Sequence, residues 1–284
     1  MFELILENKT GDQINFAQNS AFTITEIQGL NPPSATINTS QIALMDGAKF
    51  NSSKLNMRTI NVAFAIEYAA AQNRIEVFKV LKSKQWIKLT YNGQYRQVWI
   101  EGYIGSIDIS YFEMKQIVTC SILCPAPYFK GAQTIVNELQ NIISAFHFPF
   151  SSTADPQIVF SYYSEDIGIE IENDGDVECG MVIELYARGA ISDPTVYNYI
   201  TQEFFGLDFD MEEADLITID TRQGQKTVTL LRDGEESNLF YAVVQNSTWL
   251  QLPVNGGTFV FEVGSGSTAD LSITFYHDNL YEGV

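Results

Sequence analysis

The chain has 284 residues, 45% of them hydrophobic and 18% charged, a globular composition that excludes a disordered polymer. No apolar run nears the ~20 residues of a membrane helix, and three cysteines are too few for a disulfide-dense scaffold. The net charge of −19 is uneven: residues 1–150 hold 12 Lys and Arg against 11 Asp and Glu, whereas residues 151–284 hold 4 against 24. Nucleic acid and anionic membranes are therefore poor partners for the second half, and length and charge asymmetry together argue for two domains.

The opening MFELILENKTG lacks a basic segment ahead of an apolar core, so no secretory signal is expected. Residues 28–58 are rich in Ser, Thr, Asn and Gly and carry Pro32-Pro33 near their start. Ile37, Ile42, Leu44, Met45 and Phe50 are scattered through this polar stretch. A loop of that length is uncommon inside a compact domain. Two readings stay open: a surface hairpin, or an arm whose apolar residues are buried on a neighbouring subunit.

Residues 60–68 alternate, with Ile60, Val62, Phe64, Ile66 and Tyr68 facing one way, which predicts a strand. The period then changes. Over 69–84, Ala71, Ile75, Phe78 and Leu81 share one helical face, with Gln72, Asn73, Glu76, Lys79 and Lys82 opposite. Strands over 85–91 and 95–104 are joined by the turn Asn92-Gly93, and 107–124 reads as a further strand pair. Four of the eight prolines, Pro125, Pro127, Pro149 and Pro156, mark 125–157 as a junction. Within it Ile135, Leu139, Ile142 and Phe146 have helical spacing.

The second half reads as all-β. Ile167, Ile169 and Ile171 alternate up to an Asn173-Asp174-Gly175-Asp176 turn. Met181, Ile183 and Leu185 follow, then Ile217 and Ile219. Turns at Arg222–Gln225, Asp233-Gly234 and Asn255–Gly257 separate these from Phe259, Phe261 and Val263 and from Leu271, Ile273 and Phe275. Short strands between Gly, Asn and Asp turns indicate a sandwich.

Catalytic signatures are missing: the chain has no GxSxG, HExxH or P-loop. Its two histidines, His147 and His277, fall one in each half. Cys120, Cys124 and Cys179 read as buried thiols. A glycosidase needs two carboxylates, but with 24 in the second half a pair is expected by number alone. The runs Asp174/Asp176/Glu178 and Asp208/Asp210/Glu212/Glu213/Asp215 do not fit an EF-hand loop and read as a solvated acidic face, with a calcium site as the sharper alternative. Tyr162-Tyr163, Tyr197, Tyr199, Phe204-Phe205, Phe209 and Phe240-Tyr241 read as core and end-loop packing, with a sugar-binding platform as the sharper alternative. No catalytic residue, metal ligand or cofactor site is assigned.

Five segments, in order, resemble the distal tail protein (Dit) family of siphophages and prophages. They are Leu123–Phe129, Phe148-Pro149-Phe150, Ile171–Val177 with its Asn-x-Gly-Asp turn, Asp215–Thr221 with its Ile-Asp-Thr strand, and Ser247–Pro253 with its Trp-Leu pair. The final turn, Pro253-Val254-Asn255-Gly256-Gly257, departs from the family's frequent Pro-Gly-Asn. No segment is long enough to be an inserted carbohydrate-binding domain.

The resemblance implies a mainly β protein of two domains. The first, 1–130, is β-sandwich-like with one helix and a protruding hairpin arm at 28–58, contacting a neighbour through Ile37, Ile42, Leu44, Met45 and Phe50. A linker over 131–155 leads to a galectin-like sandwich over 156–284. It also implies a non-enzymatic, cofactor-free hexameric hub at the virion tail tip, assembled in the host cytoplasm. Its partners would be the tail tube protein, the tail-tip protein and receptor-binding proteins. The alternative function is a carbohydrate-binding module for a bacterial cell-wall polymer.

Overall fold

The structure, a computed structural model, describes residues 2–17, 21–43, 46–113, 115–139, 142–144, 161–163 and 168–284. Leu44, Met45, Phe146, His147, Phe148-Pro149-Phe150, Pro156 and Ile167, all named above, lie outside the described residues, as do the side chains of Ile142 and Tyr162-Tyr163. The chain divides into two units, Met1–Ala132 with Leu280–Val284, and Gln133–Asn279.

The first unit holds β1 (Glu3–Asn8), β2 (Gln13–Asn15), β3 (Phe22–Gln28), β4 (Ala35–Ser40), β5 (Lys49–Leu55), β6 (Arg58–Ile66), α1 (Ala70–Val80), β7 (Trp86–Asn92), β8 (Gln97–Ile109), β9 (Gln116–Cys124) and β10 (Phe129–Gly131). One antiparallel sheet runs β2-β1-β7-β8-β9-β6-β3, and β10 joins it on β8. β6 shows why these residues form strands. Ile60, Val62, Phe64 and Ile66 are all buried on one side, and the strand is paired on both edges, to β9 and β3. Tyr68 does not continue that face: the strand ends at Ile66 and Tyr68 is exposed. Leu4, Leu6, Ile87, Leu89, Val118, Cys120 and Ile122 complete the same core.

The helix forms where its period predicts, but with a different face inward. Val77, Val80 and Leu81 are buried, while Ile75 and Phe78 are 58% and 39% exposed. The larger residues of the helix thus point away from the core, and the β-branched valines fill the space against it.

Arg58 ties this unit together. It is buried, and its guanidinium donates to four carbonyl oxygens: Pro127 (2.8 Å), Gly29 (2.6 Å), Asn31 (2.7 Å) and Glu282 (2.6 Å). It also lies 4.5 Å above the Phe129 ring. Gly29 adopts φ +90°, and a Cβ there would come within 2.2 Å of the Thr59 oxygen, so only glycine fits this approach. The last residues of the chain belong to this knot, although the sequence pattern groups them with the second half. Leu280–Tyr281 pairs with β10, Arg96 donates to the Gly283 oxygen and stacks on Tyr281, and Val284 N–H donates to the Leu30 oxygen.

The second unit holds β11 (Ile135–Leu139), β12 (Ile142–Ser144), β13 (Ser161–Tyr163), β14 (Gly168–Ile171), β15 (Cys179–Ala187), β16 (Ile191–Ser192), β17 (Thr195–Asn198), β18 (Phe204–Gly206), β19 (Asp210–Met211), β20 (Leu216–Asp220), β21 (Thr227–Arg232), β22 (Glu235–Asn238), β23 (Gln251–Leu252), β24 (Gly257–Glu262) and β25 (Leu271–His277). One sheet runs β11-β25-β15-β20-β21-β22 and another β14-β24-β17-β18. Phe259 of β24 and Phe275 of β25, both buried, meet at 5.4 Å between ring centres, so the two sheets share a core as a sandwich. Where helical spacing is expected, the described residues form strands instead, Ile135–Leu139 and Ile142–Ser144. Within the expected linker, Ile135–Leu139 pairs along five residues of β25, and this ladder overrides the local spacing.

Replacing Arg58 by Met leaves four carbonyl oxygens without their donor. Urea unfolding should show the first unit destabilised by roughly 3 kcal/mol. Amide exchange should accelerate at Val284 and Leu30, and an unchanged unfolding midpoint would remove Arg58 from this role.

Candidate assembly surface

β4 and β5 pair only with each other and form a separate two-stranded sheet. Every β4 residue is exposed, as are all of β5 but Leu55. The hairpin is held by its ladder and by side chains such as Asn38 to Ser52 (3.0 Å) and Ser40 to Asn51 (3.2 Å). Its feet are anchored, since Arg58 holds Gly29 and Asn31 on one side and itself begins β6 on the other. Of the five residues expected in subunit contact, Ile37, Ile42 and Phe50 are 62%, 46% and 59% exposed. An isolated hairpin buries almost no apolar area and is marginal in water.

Other apolar side chains of the first unit also lack cover. Tyr103 and Leu123 are register partners on β8 and β9 and both are exposed. Phe112 is fully exposed at the turn between these strands. Ile75 and Phe78 form the outer face of α1. Singly exposed apolar residues are common on strands, so no pattern in the sequence singles out Leu123 or Tyr103.

Among the described residues weighed for chemistry, the three thiols and His277 are buried. Cys120, Cys124 and Cys179 are free and buried, and burial pushes each thiol up to about 12. His277 is buried in β25; burial lowers its pKa, against the pull of the Glu172 backbone, Asp278 and Asp174, so it is neutral at pH 7. Among the described residues, no group of three or more His, Cys, Asp or Glu is arranged to hold a metal ion.

The acidic run 208–215 is organised by an arginine. Asp215 is buried and receives two hydrogen bonds from Arg232, which also pairs with Glu212 (2.9 Å), while the Glu212 N–H donates to Asp215 (2.8 Å). Asn173 closes the Asn-Asp-Gly-Asp turn. Its Oδ1 accepts from Gly175 N–H (2.9 Å), and its Nδ2 donates to the oxygens of Val177 (3.1 Å) and Pro253 (3.0 Å). Gly256 sits against this turn at φ +90°, where a Cβ would meet the Ile171 oxygen at 2.2 Å. Thr221 brackets β15, accepting from Met181 N–H (2.8 Å) and donating to Met181 O (3.0 Å). These motif residues therefore serve the fold. The aromatic residues divide: Phe205 is buried, whereas Tyr199, Phe240 and Tyr241 are exposed.

Comparison with known proteins agrees with this arrangement. Residues 9–124 match the family described as "Phage tail protein RIFT-related domain", and residues 174–278 match "Siphovirus-type tail component, C-terminal domain". The fold is similar to that of the Dit protein of phage SPP1, described as a paradigm of the hub adsorption apparatus of phages infecting Gram-positive bacteria. The TM-score is 0.67 at 13% identity, covering 97% of this chain and 98% of that one. It is also similar to a chain of the phage p2 baseplate in its activated conformation, with calcium (TM-score 0.54, 14% identity) and with strontium (0.52, 13%), covering 100% of both chains each time. Among curated proteins, none matches significantly.

The Asp215–Arg232 pair makes a pH-dependent contribution. Burial alone would raise the Asp215 pKa, but the Arg232 hydrogen bonds, the Glu212 N–H and the Arg232 charge hold it below its usual 3.8. A carboxylate with a lowered folded pKa contributes stability above its unfolded pKa, and that contribution is lost as pH falls through the folded value. Asp215→Asn should therefore cost roughly 2 kcal/mol at pH 7. In unfolding curves taken from pH 7 downward, the gap between parent and variant should narrow below about pH 4. A gap that stays constant with pH would contradict this.

Proposed function

Because the chain belongs to the siphovirus distal tail family, in which it stands as a phage tail hub protein, we propose that it assembles as a hexameric ring at the distal end of a long non-contractile tail. The ring joins the tail tube to the tail-tip protein and carries receptor-binding proteins. It acts without catalysis and without a cofactor, contacting neither nucleic acid nor membrane, and it is built in the host cytoplasm before joining the virion.

The observation that carries this reading is the free-standing hairpin Ala35–Leu55, anchored at its base and exposed along its length. A neighbouring copy offers Ile37, Ile42 and Phe50 the burial that their own unit does not. Charge supports a placement of the two units. Six copies of the acidic unit repel one another, and with a Debye length of about 8 Å at physiological salt they are tolerated only when spread apart. The first unit, nearly neutral, lines the ring, and the sandwiches stand at its periphery.

Native mass measurement tests the arm. The full chain should sediment as six copies. Deleting residues 34–54, or combining Ile37→Ser with Phe50→Ser, should leave the unfolding midpoint within a few degrees and shift the mass to one or two copies. A deletion variant that assembles as the parent does would show that the hairpin is only a surface feature.

A further inference from the structure

The second unit carries an apolar patch that its own fold leaves uncovered. Phe240 and Tyr241, on the 3-10 turn Phe240–Ala242, are 53% and 80% exposed, and Val244 beside them is exposed too. The patch is rigid. Trp249 stacks against Phe240 at 6.0 Å and packs on buried Phe205 at 5.0 Å. The backbone is pinned to β18 and the loop after it: Val244 N–H donates to Gly206 O (3.0 Å), Thr248 N–H to Phe204 O (2.7 Å) and Asp208 N–H to Ala242 O (2.8 Å). Aromatic side chains already held in place lose little entropy when a partner covers them.

The surroundings state the partner's chemistry. Strand β22, an exposed sheet edge bearing Glu235 and Glu236, leads directly into the aromatic turn. Residues 168–279 hold 4 Lys and Arg against 20 Asp and Glu. Three of those four cations are already engaged, Arg222 with Asp220, Arg232 with Asp215 and Glu212, and Lys226 over the Trp249 ring at 5.4 Å. Charge therefore disfavours a nucleic acid, an anionic membrane or a second copy of this unit. A glycan platform needs polar side chains turned toward the ring faces. Here Asn238 Oδ1 accepts from Phe240 N–H (2.8 Å) and Ser247 Oγ accepts from Gly206 N–H (3.1 Å), so both serve their own backbone.

We propose that Phe240, Tyr241 and Val244, flanked by Glu235 and Glu236, dock a second tail protein through a basic surface with an apolar centre. Its apolar side chains cover Tyr241 and Phe240, and its Lys or Arg residues lie over the ring faces and against the β22 carboxylates. This rests on the hub reading and deepens it, by naming the face and the chemistry that an attached protein must match.

The probes are the tail-tip and receptor-binding proteins of the same tail, each purified and titrated against the assembled full-length protein at low and physiological salt. One of them should bind, more weakly as salt rises. Phe240→Ser with Tyr241→Ser should weaken it about tenfold or more. Glu235→Lys with Glu236→Lys, at exposed positions on β22, should weaken it severalfold and flatten the salt dependence. The proposal fails if no probe binds, if the charge-reversed variant binds as the parent does, or if purified wall polysaccharide is what binds and the aromatic variant loses it. Native mass, measured on the same samples, separates the two ideas: intact rings with undiminished binding defeat the docking face alone, whereas a parent that forms no ring defeats the hub reading.

Discussion

A guanidinium taken out of water must find acceptors for the N–H groups it brings along, and Arg58 finds four of them on three separate stretches of chain. Those stretches are the approach to the hairpin arm at Gly29 and Asn31, the exit from β9 at Pro127, and the end of the chain at Glu282. No carboxylate side chain is among these four partners. The charge is met by carbonyl dipoles and by the Phe129 ring, an arrangement that depends on geometry more than on ion pairing. A free-standing hairpin keeps its direction only if its base does not swivel. The Arg58 knot, with Gly29 pressed against Thr59, supplies that base.

The second unit solves a different problem. With so large an excess of carboxylates, it buries two of them against arginines, Asp215 with Arg232 and Asp220 with Arg222, and leaves most others in water, where repulsion is screened. The short motifs that carry the family resemblance are fold-keeping devices: Asn173 ties its turn to the Pro253 segment, Gly256 lets that segment approach, and Thr221 brackets β15. Their chemistry closes turns, which is consistent with a family defined by a scaffold.

Alternation made most strands legible in the sequence: β6, β15, β20, β24 and β25 bury the residues that a period of two assigns to the core. The helix was legible in position and not in rotation, because a short helix at the margin of a core presents few residues inward and its size ranking misleads. Ile135–Leu139 was misread as helical, since its spacing suits both periods and only its pairing with β25, far along the chain, decides. The arm was visible as a polar stretch with stranded apolar residues, and three of the five named positions stand exposed on it. Arg58 left no trace in the sequence: one arginine at the end of a polar loop carries no pattern, and its role exists only once Gly29, Pro127 and Glu282 have been folded around it. The return of Leu280–Tyr281 to β10 was hidden for the same reason.

Averaged electron-microscope images of the purified full-length chain test the central claim most directly, because they report symmetry and the placement of both units at once. The account predicts closed six-fold rings, with density for Met1–Ala132 around the channel and the acidic sandwiches projecting outward. Monomers at all concentrations, or rings whose channel is lined by the acidic unit, would contradict it.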